Sequence, residues 1–220
     1  MDHPRVLVFS RTAGYRHTSI ADGIEAFRSL GAGHGFSVET TEDPVTLASA
    51  LPGCRAVVFL STSGEVLNPA AREALHAHCT AGGGFVGVHA ASTTEEDWHW
   101  YGELVGARFD GHPDLQPGEV VVEDHGHPAT AHLGERWPFT DEWYNFRSSP
   151  RSRVRVLASA DETGYRGGRM GVDHPLVWCH ENTGGRSFYT ALGHTPESYA
   201  APDFRRHLLG GLIWAARLDS

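Results

Sequence analysis

The chain reads as an α/β protein built on a doubly wound, mostly parallel sheet, with a late hairpin and an irregular insertion. Three observations predict this. Four short apolar runs up to Val88 alternate with stretches of helical periodicity. Two later strand-like runs bracket a turn-rich pentapeptide. Between these halves, from about residue 107 to 153, Gly, Pro, His and aromatic residues crowd together with little long-range periodicity.

The first strand is Arg5-Val6-Leu7-Val8-Phe9-Ser10, apolar throughout as in a strand buried on both faces. Thr18 or Ser19 is placed to cap a helix whose apolar positions are Ile20, Ile24, Phe27 and Leu30, with Gly31 as its stop. Phe36 to Thr40 alternates like a second strand, and Pro44 to Leu51 is a short helix. Ala56 to Leu60 is a third, buried strand. Asn68 caps a helix with Pro69 at its first position, running to about Ala81. Gly82-Gly83-Gly84 ends that helix, and Phe85-Val86-Gly87-Val88 is the fourth strand. Further on, His99 to Val105 is helical, and Glu119 to Glu123 and Val154 to Ala158 are strands. Leu176 to His180 and Ser187 to Ala191 form a hairpin around Glu181-Asn182-Thr183-Gly184-Gly185. A final helix starts near Pro202-Asp203, with Phe204, Leu208, Leu209, Leu212, Ile213 and Ala216 as its apolar face. No repeat or linker divides the chain, so 1–220 is expected to form one domain.

Composition excludes several function classes. The formal charge of −9 disfavours nucleic acid and anionic membranes as partners. No run approaches the roughly 18 apolar residues that a membrane span needs. The start, Met1-Asp2-His3-Pro4-Arg5 before Val6-Leu7-Val8-Phe9, lacks the core and cleavage site of a secretory signal, so a cytoplasmic location is expected. There is no lysine, which rules out Schiff-base and P-loop chemistry. No G-x-G-x-x-G follows the first strand, so a nicotinamide site is not expected. Cys54, Cys79 and Cys179 stand far apart with no C-x-x-C spacing and read as small buried hydrophobes. His125, His127 and His132 read as a solvated loop cluster without zinc-site spacing.

In open parallel sheets ligands bind beyond the carboxyl ends of the strands. Four segments converge there: the loop with Arg11, Tyr15, Arg16 and His17; Ser61 to Glu65; His89-Ala90-Ala91-Ser92; and Gly193-His194-Thr195-Pro196. Gly87-Val88-His89-Ala90-Ala91 has the small-x-polar-small-small spacing of a nucleophile elbow, with histidine at its centre. Asp141-Glu142-Trp143-Tyr144-Asn145-Phe146 joins carboxylates to aromatics, a combination suited to sugars: rings pack on C–H faces and carboxylates accept hydroxyl hydrogen bonds. His180 and Arg186, at the two ends of the hairpin turn, are further candidates for substrate contact.

Taken together, Gly14-Tyr15-Arg16-His17, Gly83 through Ala91, Gly111-His112-Pro113, Asp141-Glu142-Trp143-Tyr144, and His174-Pro175-Leu176-Val177-Trp178 through Gly193-His194 resemble the ThuA-like (trehalose-utilisation) family. That family lies in the class I glutamine-amidotransferase-like superfold. The resemblance spans nearly the whole chain and implies a flavodoxin-like sheet. It also implies a link to the metabolism of trehalose, related disaccharides or their 3-keto derivatives. The superfold's amidotransferases carry a cysteine at the elbow, whereas this chain has His89, so thioester chemistry is not expected.

The leading expectation is an enzyme acting on a disaccharide or keto-sugar by acid–base chemistry. His89 would move a proton, with His17 or His194 beside it, and Arg11, Tyr15, Glu142, Trp143, Tyr144, His180 and Arg186 would contact the sugar. A second reading draws two or three of His17, His89, His112, His180 and His194 around a divalent ion such as zinc, in a metal-dependent hydrolase. A third is a non-catalytic sugar-binding or regulatory module. A small sugar is the expected partner, and homo-oligomerisation is left open.

Overall fold

A computed structural model describes residues 3–218. Met1, Asp2, Asp219 and Ser220 of the expected 1–220 domain lie outside the described residues. The chain folds as an α/β protein in the predicted element order. Strands β1 (Arg5–Phe9), β2 (Ser37–Thr41), β3 (Cys54–Leu60) and β4 (Gly84–Val88) alternate with helices α1 (Ile20–His34), α2 (Pro44–Ala50) and α3 (Pro69–Thr80). Then come α4 (His99–Val105), β5 (Phe109–Gly111), β6 (Gln116–Val122), β7 (Arg136–Asp141), β8 (Asn145–Phe146) and β9 (Arg155–Ala160). The hairpin β10 (Pro175–His180) and β11 (Ser187–Thr190), α5 (Pro196–Ala200) and α6 (Pro202–Ala216) complete the chain.

One nine-stranded sheet runs β2-β1-β3-β4-β11-β10-β9-β6-β7. The first four strands and β11 are parallel, whereas β10, β9, β6 and β7 pair antiparallel in succession. Because direction alternates across that second half, β9 and β7 point the same way as β4 and β11. β1, β3 and β4 are buried almost throughout, as their unbroken apolar runs require, and α1 and α6 pack against the sheet through Phe27, Leu30, Phe204, Leu208 and Leu212.

Local chemistry explains the element ends. Asp43 and Asn68 accept the first free N–H groups of α2 and α3, and each helix begins with proline. Ser19 stands before α1 but makes no cap bond; its hydroxyl donates instead to the Gly193 carbonyl, 3.3 Å away. Gly31 does not stop α1. A Cβ there would lie 2.6 Å from the Phe36 carbonyl oxygen, so this glycine serves close packing, and the helix ends at left-handed Gly35. The stretch expected to be irregular holds β5, β6, β7 and β8. β7 escapes sequence reading because Pro138 interrupts it, which an edge strand tolerates. His127 is not solvated: it is buried between Phe188 and Trp214 and its Nδ1 accepts the Ala129 N–H. All three cysteines are buried and unpaired, and burial pushes the thiols of Cys79 and Cys179 up to about 12. Among the described residues no helix is long and apolar enough to cross a membrane.

Candidate functional site

Four polar side chains meet at the carboxyl edge of the sheet. His17 lies in the loop after β1, His89 directly after β4, Glu142 directly after β7 and His194 shortly after β11. All four strands point toward that edge, so chain direction alone delivers them to one place. His89 sits at φ +51, a left-handed conformation that costs a non-glycine residue on the order of 1 kcal/mol or more. The turn is tight because its neighbours are small. A Cβ on Gly87 would lie 3.0 Å from the Tyr189 ring and 3.4 Å from Ala91. Trp143, at φ +50, makes a second such turn beside Glu142.

One donor atom from each of His17, His89, Glu142 and His194 lies within 4.8 Å of the others. His89 Nε2 is 3.1 Å from His17 Nε2 and 3.5 Å from Glu142 Oε2, and His194 Nδ1 is 3.0 Å from Glu142 Oε2. Metal–ligand bonds of about 2.0–2.1 Å put neighbouring ligand atoms about 3.0 Å apart in an octahedron and about 3.4 Å apart in a tetrahedron. The three separations match those polyhedron edges. Proton positions point the same way. His89 Nδ1 is 2.7 Å from the Ala191 carbonyl, which only accepts, so Nδ1 carries the hydrogen and Nε2 presents a lone pair to the cluster. A backbone carbonyl behind the ring is the usual support of a metal-ligating histidine. Buried His194 Nδ1, although close to Glu142, has no hydrogen-bond partner of good geometry.

Burial, and next the neighbouring His89 and His194, depress His17 to about 3, so its ring is neutral and able to ligate. Burial works to raise the Glu142 carboxyl, but its contacts with His194 and His89 outweigh this and hold it well below the usual carboxylate range. Glu142 in turn raises His194. The cluster sets three imidazoles, His17 among them held neutral, around one carboxylate, a donor set that suits zinc and similar divalent ions.

Two of the four, His17 and Glu142, line a cavity of about 470 Å³ together with Tyr15, Ser63, Gly64, Phe109, His112 and Tyr144, while His89 is buried behind them. Tyr15 is 67% exposed at the rim, its ring edge-on to His17 at 4.7 Å. Tyr144 is buried and stacks on His89 at 4.2 Å. His112 stands at the mouth, its Nδ1 3.5 Å from Glu142 Oε1, outside the four-donor group.

Four expected contacts lie elsewhere. Trp143 is buried, donates its indole N–H to the Gln116 carbonyl and stacks on Tyr165, so it cannot hold a sugar. His180 ends β10, which runs against its neighbours, and Arg186 precedes β11; both therefore sit at the opposite edge of the sheet. There His180 Nε2 meets the Leu104 carbonyl, and Arg186 reaches the Trp214 carbonyl. Neither can be a ligand or substrate contact at this site. Arg11 extends to the Glu42 carbonyl and does not line the cavity. Two residues that matter here were not among the expected ones. Asp141 accepts the Gly193 N–H at 2.8 Å and so ties the β7 end to the turn carrying His194; its place beside Glu142 was the available signal. Phe109 forms a wall of the cavity, and nothing in the sequence marked it.

The family model described as ThuA, trehalose utilisation, matches residues 5–215. A comparison with curated proteins gives no match. Among solved structures, a ThuA-like protein from Bacteroides uniformis is 24% identical, with a TM-score of 0.82 over 97% of this chain and 91% of that one. A ThuA-like protein from Parabacteroides merdae is 19% identical, with a TM-score of 0.77 over 98% and 90%. The glutaminase domain of Trypanosoma brucei CTPS is 11% identical, with a TM-score of 0.55 over 97% and 94%, and shares the fold. With the family model covering nearly all of its length, the chain belongs to the ThuA (trehalose utilisation) family.

Proposed function

We propose that this protein is a metal-dependent enzyme of carbohydrate metabolism that acts on a disaccharide or a keto-sugar derived from one. One observation carries the reading: four donor atoms on four separate segments lie within 4.8 Å of one another, beside a cavity that His17 and Glu142 line. His17, His89, His194 and Glu142 would hold a divalent ion such as zinc. When bound, the ion would supply Lewis-acid polarisation of a substrate oxygen and a more acidic bound water. His89 then acts as a ligand rather than a mobile base, since Ala191 holds its Nδ1–H and its Nε2 faces the other donors. His112, half exposed at the mouth beside Glu142, is the imidazole left to exchange protons with substrate. Tyr15, Phe109 and Tyr144 offer aromatic faces to the apolar sides of a sugar ring. Membership of a trehalose-utilisation family supports the substrate class. On this reading the partner is a small sugar, not nucleic acid or a membrane.

The test is turnover across a panel of glucosides, disaccharides and their 3-keto forms, after metal removal and after readdition of zinc, manganese or cobalt. The expected result is activity restored by metal in the parent and reduced by at least about 10³-fold in His89→Ala. Metal-independent turnover, or unchanged turnover in His89→Ala, would refute the reading. Sugar binding with no turnover in the metal-loaded parent would favour a binding module.

A further inference from the structure

Behind the Glu142 turn, on the side away from the cavity, lies a second buried polar group. His174 is fully buried. Its Nε2 is 2.8 Å from the Tyr144 carbonyl, and its Nδ1 is 2.7 Å from Glu162 Oε1 and 2.9 Å from the Tyr165 hydroxyl. A carbonyl only accepts, so Nε2–H donates to Tyr144. A carboxylate also only accepts, so a proton lies between Nδ1 and Glu162. Glu162 Oε1 further accepts the Met170 N–H at 2.8 Å. The chain from partly buried Glu162 through fully buried His174 to the Tyr144 carbonyl is thus aligned, with its His174 end out of water, where such bonds are strong.

The segment it grips needs holding. Trp143 sits at φ +50, a conformation that a bulky residue keeps only when its surroundings impose it. Glu142 on one side supplies a donor to the four-residue cluster, and Tyr144 on the other stacks on His89. Besides Asp141, which accepts the Glu142 N–H, the supports come from behind. Trp143 donates to Gln116 and stacks on Tyr165 at 4.9 Å, and His174 fixes the next carbonyl. None of Glu162, Tyr165 and His174 lines the cavity.

We propose that His174, oriented by Glu162, is a positioning residue of the site. It locks the Glu142–Tyr144 turn so that the Glu142 carboxylate and the Tyr144 ring meet His89 in register. The metal-binding half of this inference rests on the reading above, whereas the geometric half does not.

The experiment compares the parent with Glu162→Gln, His174→Leu and His174→Gln, the last keeping a side-chain N–H donor. Two readouts are taken. The first is the pair of His89 imidazole C–H proton shifts in the metal-free protein, which report the ring current of the stacked Tyr144. The second is zinc affinity by competition with a chromophoric chelator. The expected result is that His174→Leu and Glu162→Gln move the His89 signals toward ordinary imidazole positions and weaken zinc binding about tenfold. His174→Gln should return both toward the parent values. Should His174→Leu fail to fold, Glu162→Gln against the parent still carries the comparison. Unmoved His89 signals in Glu162→Gln and in every folded His174 variant would overturn the proposal. Signals that move and are rescued, in a parent that binds no zinc, would uphold the positioning role while overturning the metal reading.

Discussion

The buried histidines make a sharp prediction about stability in mild acid. His207 is fully buried with Nδ1 against the Ala129 carbonyl and Nε2 against the Thr190 hydroxyl, the pairing of a neutral ring that donates once and accepts once. Burial depresses it to about 3, and burial depresses His127 to about 4. In the unfolded chain both titrate near 6.5. The folded values lie below the unfolded ones, so their contribution is complete above about pH 6.5 and is lost as pH falls toward the folded values. Each histidine adds about 1.4 kcal/mol per pH unit to the slope, or roughly 2 kcal/mol lost at pH 5 relative to pH 8. Metal-free His17, depressed to about 3, adds to the same slope. Among the carboxylates, burial raises Glu95, which works against this slope, because a group raised in the folded state favours folding at low pH and loses that effect as pH rises. Glu123, lowered chiefly by its bond from Arg151, starts from an ordinary value near 4.5 and so matters only in stronger acid. His194, raised by Glu142, runs the other way: it favours the folded state below its unfolded value and loses that effect as pH rises through its folded one. Urea unfolding of metal-free protein at half-unit steps from pH 8 to 5 measures the slope. The expected loss at pH 5 is about 4 kcal/mol from His127 and His207 alone, a large share of an ordinary domain's stability. His207→Asn should reduce the slope between pH 6 and 5 by about 1.4 kcal/mol per unit. A flat profile over this range in the parent, or an unchanged slope in the variant, would refute the reasoning.

Further expectations concern the site. Tyr15→Ala removes an exposed rim aromatic and its edge contact with His17 while leaving the four donors in place; KM for the sugar should rise several-fold with kcat nearly unchanged, and a loss confined to kcat would contradict its role as a wall. Gly87→Val presses a branched side chain on the Tyr189 ring and Ala91; stability should drop by about 1–3 kcal/mol in urea unfolding, with turnover reduced as the His89 turn shifts. His180→Gln lies at the far edge of the sheet and should leave zinc affinity unchanged by calorimetry, whereas a hundredfold loss would restore His180 as a ligand.

The parts of the fold that follow from periodicity were legible. β1, β3 and β4 are unbroken apolar runs, and α2 and α3 carry an Asp or Asn cap with proline behind it. β7 was not legible, because its proline and its edge position erase the pattern that marks a central strand. That loss matters, since β7 is the strand that carries Glu142 to the carboxyl edge. His17, His89 and His194 were legible from their position after strands, with the small residues flanking His89 as the strongest cue. The errors share one cause: composition does not report direction. An aromatic beside a carboxylate reads as a sugar platform, yet the left-handed backbone at Trp143 turns its ring into the core. His180 reads like any other strand-end histidine until antiparallel pairing places it at the opposite edge. The reverse case is His174. Within the sequence it is one histidine before a proline, and only the fold shows Glu162 on one ring nitrogen and the Tyr144 carbonyl on the other.

On the proposed function, His17, His89, His194 and Glu142 together hold one divalent ion. The most direct measurement is the metal content of the purified protein, followed by calorimetric titration of the chelator-stripped protein with zinc. Close to one equivalent per chain is expected, with affinity lost in both His89→Ala and Glu142→Ala. Less than a tenth of an equivalent, together with no heat of zinc binding to a folded parent, would contradict it.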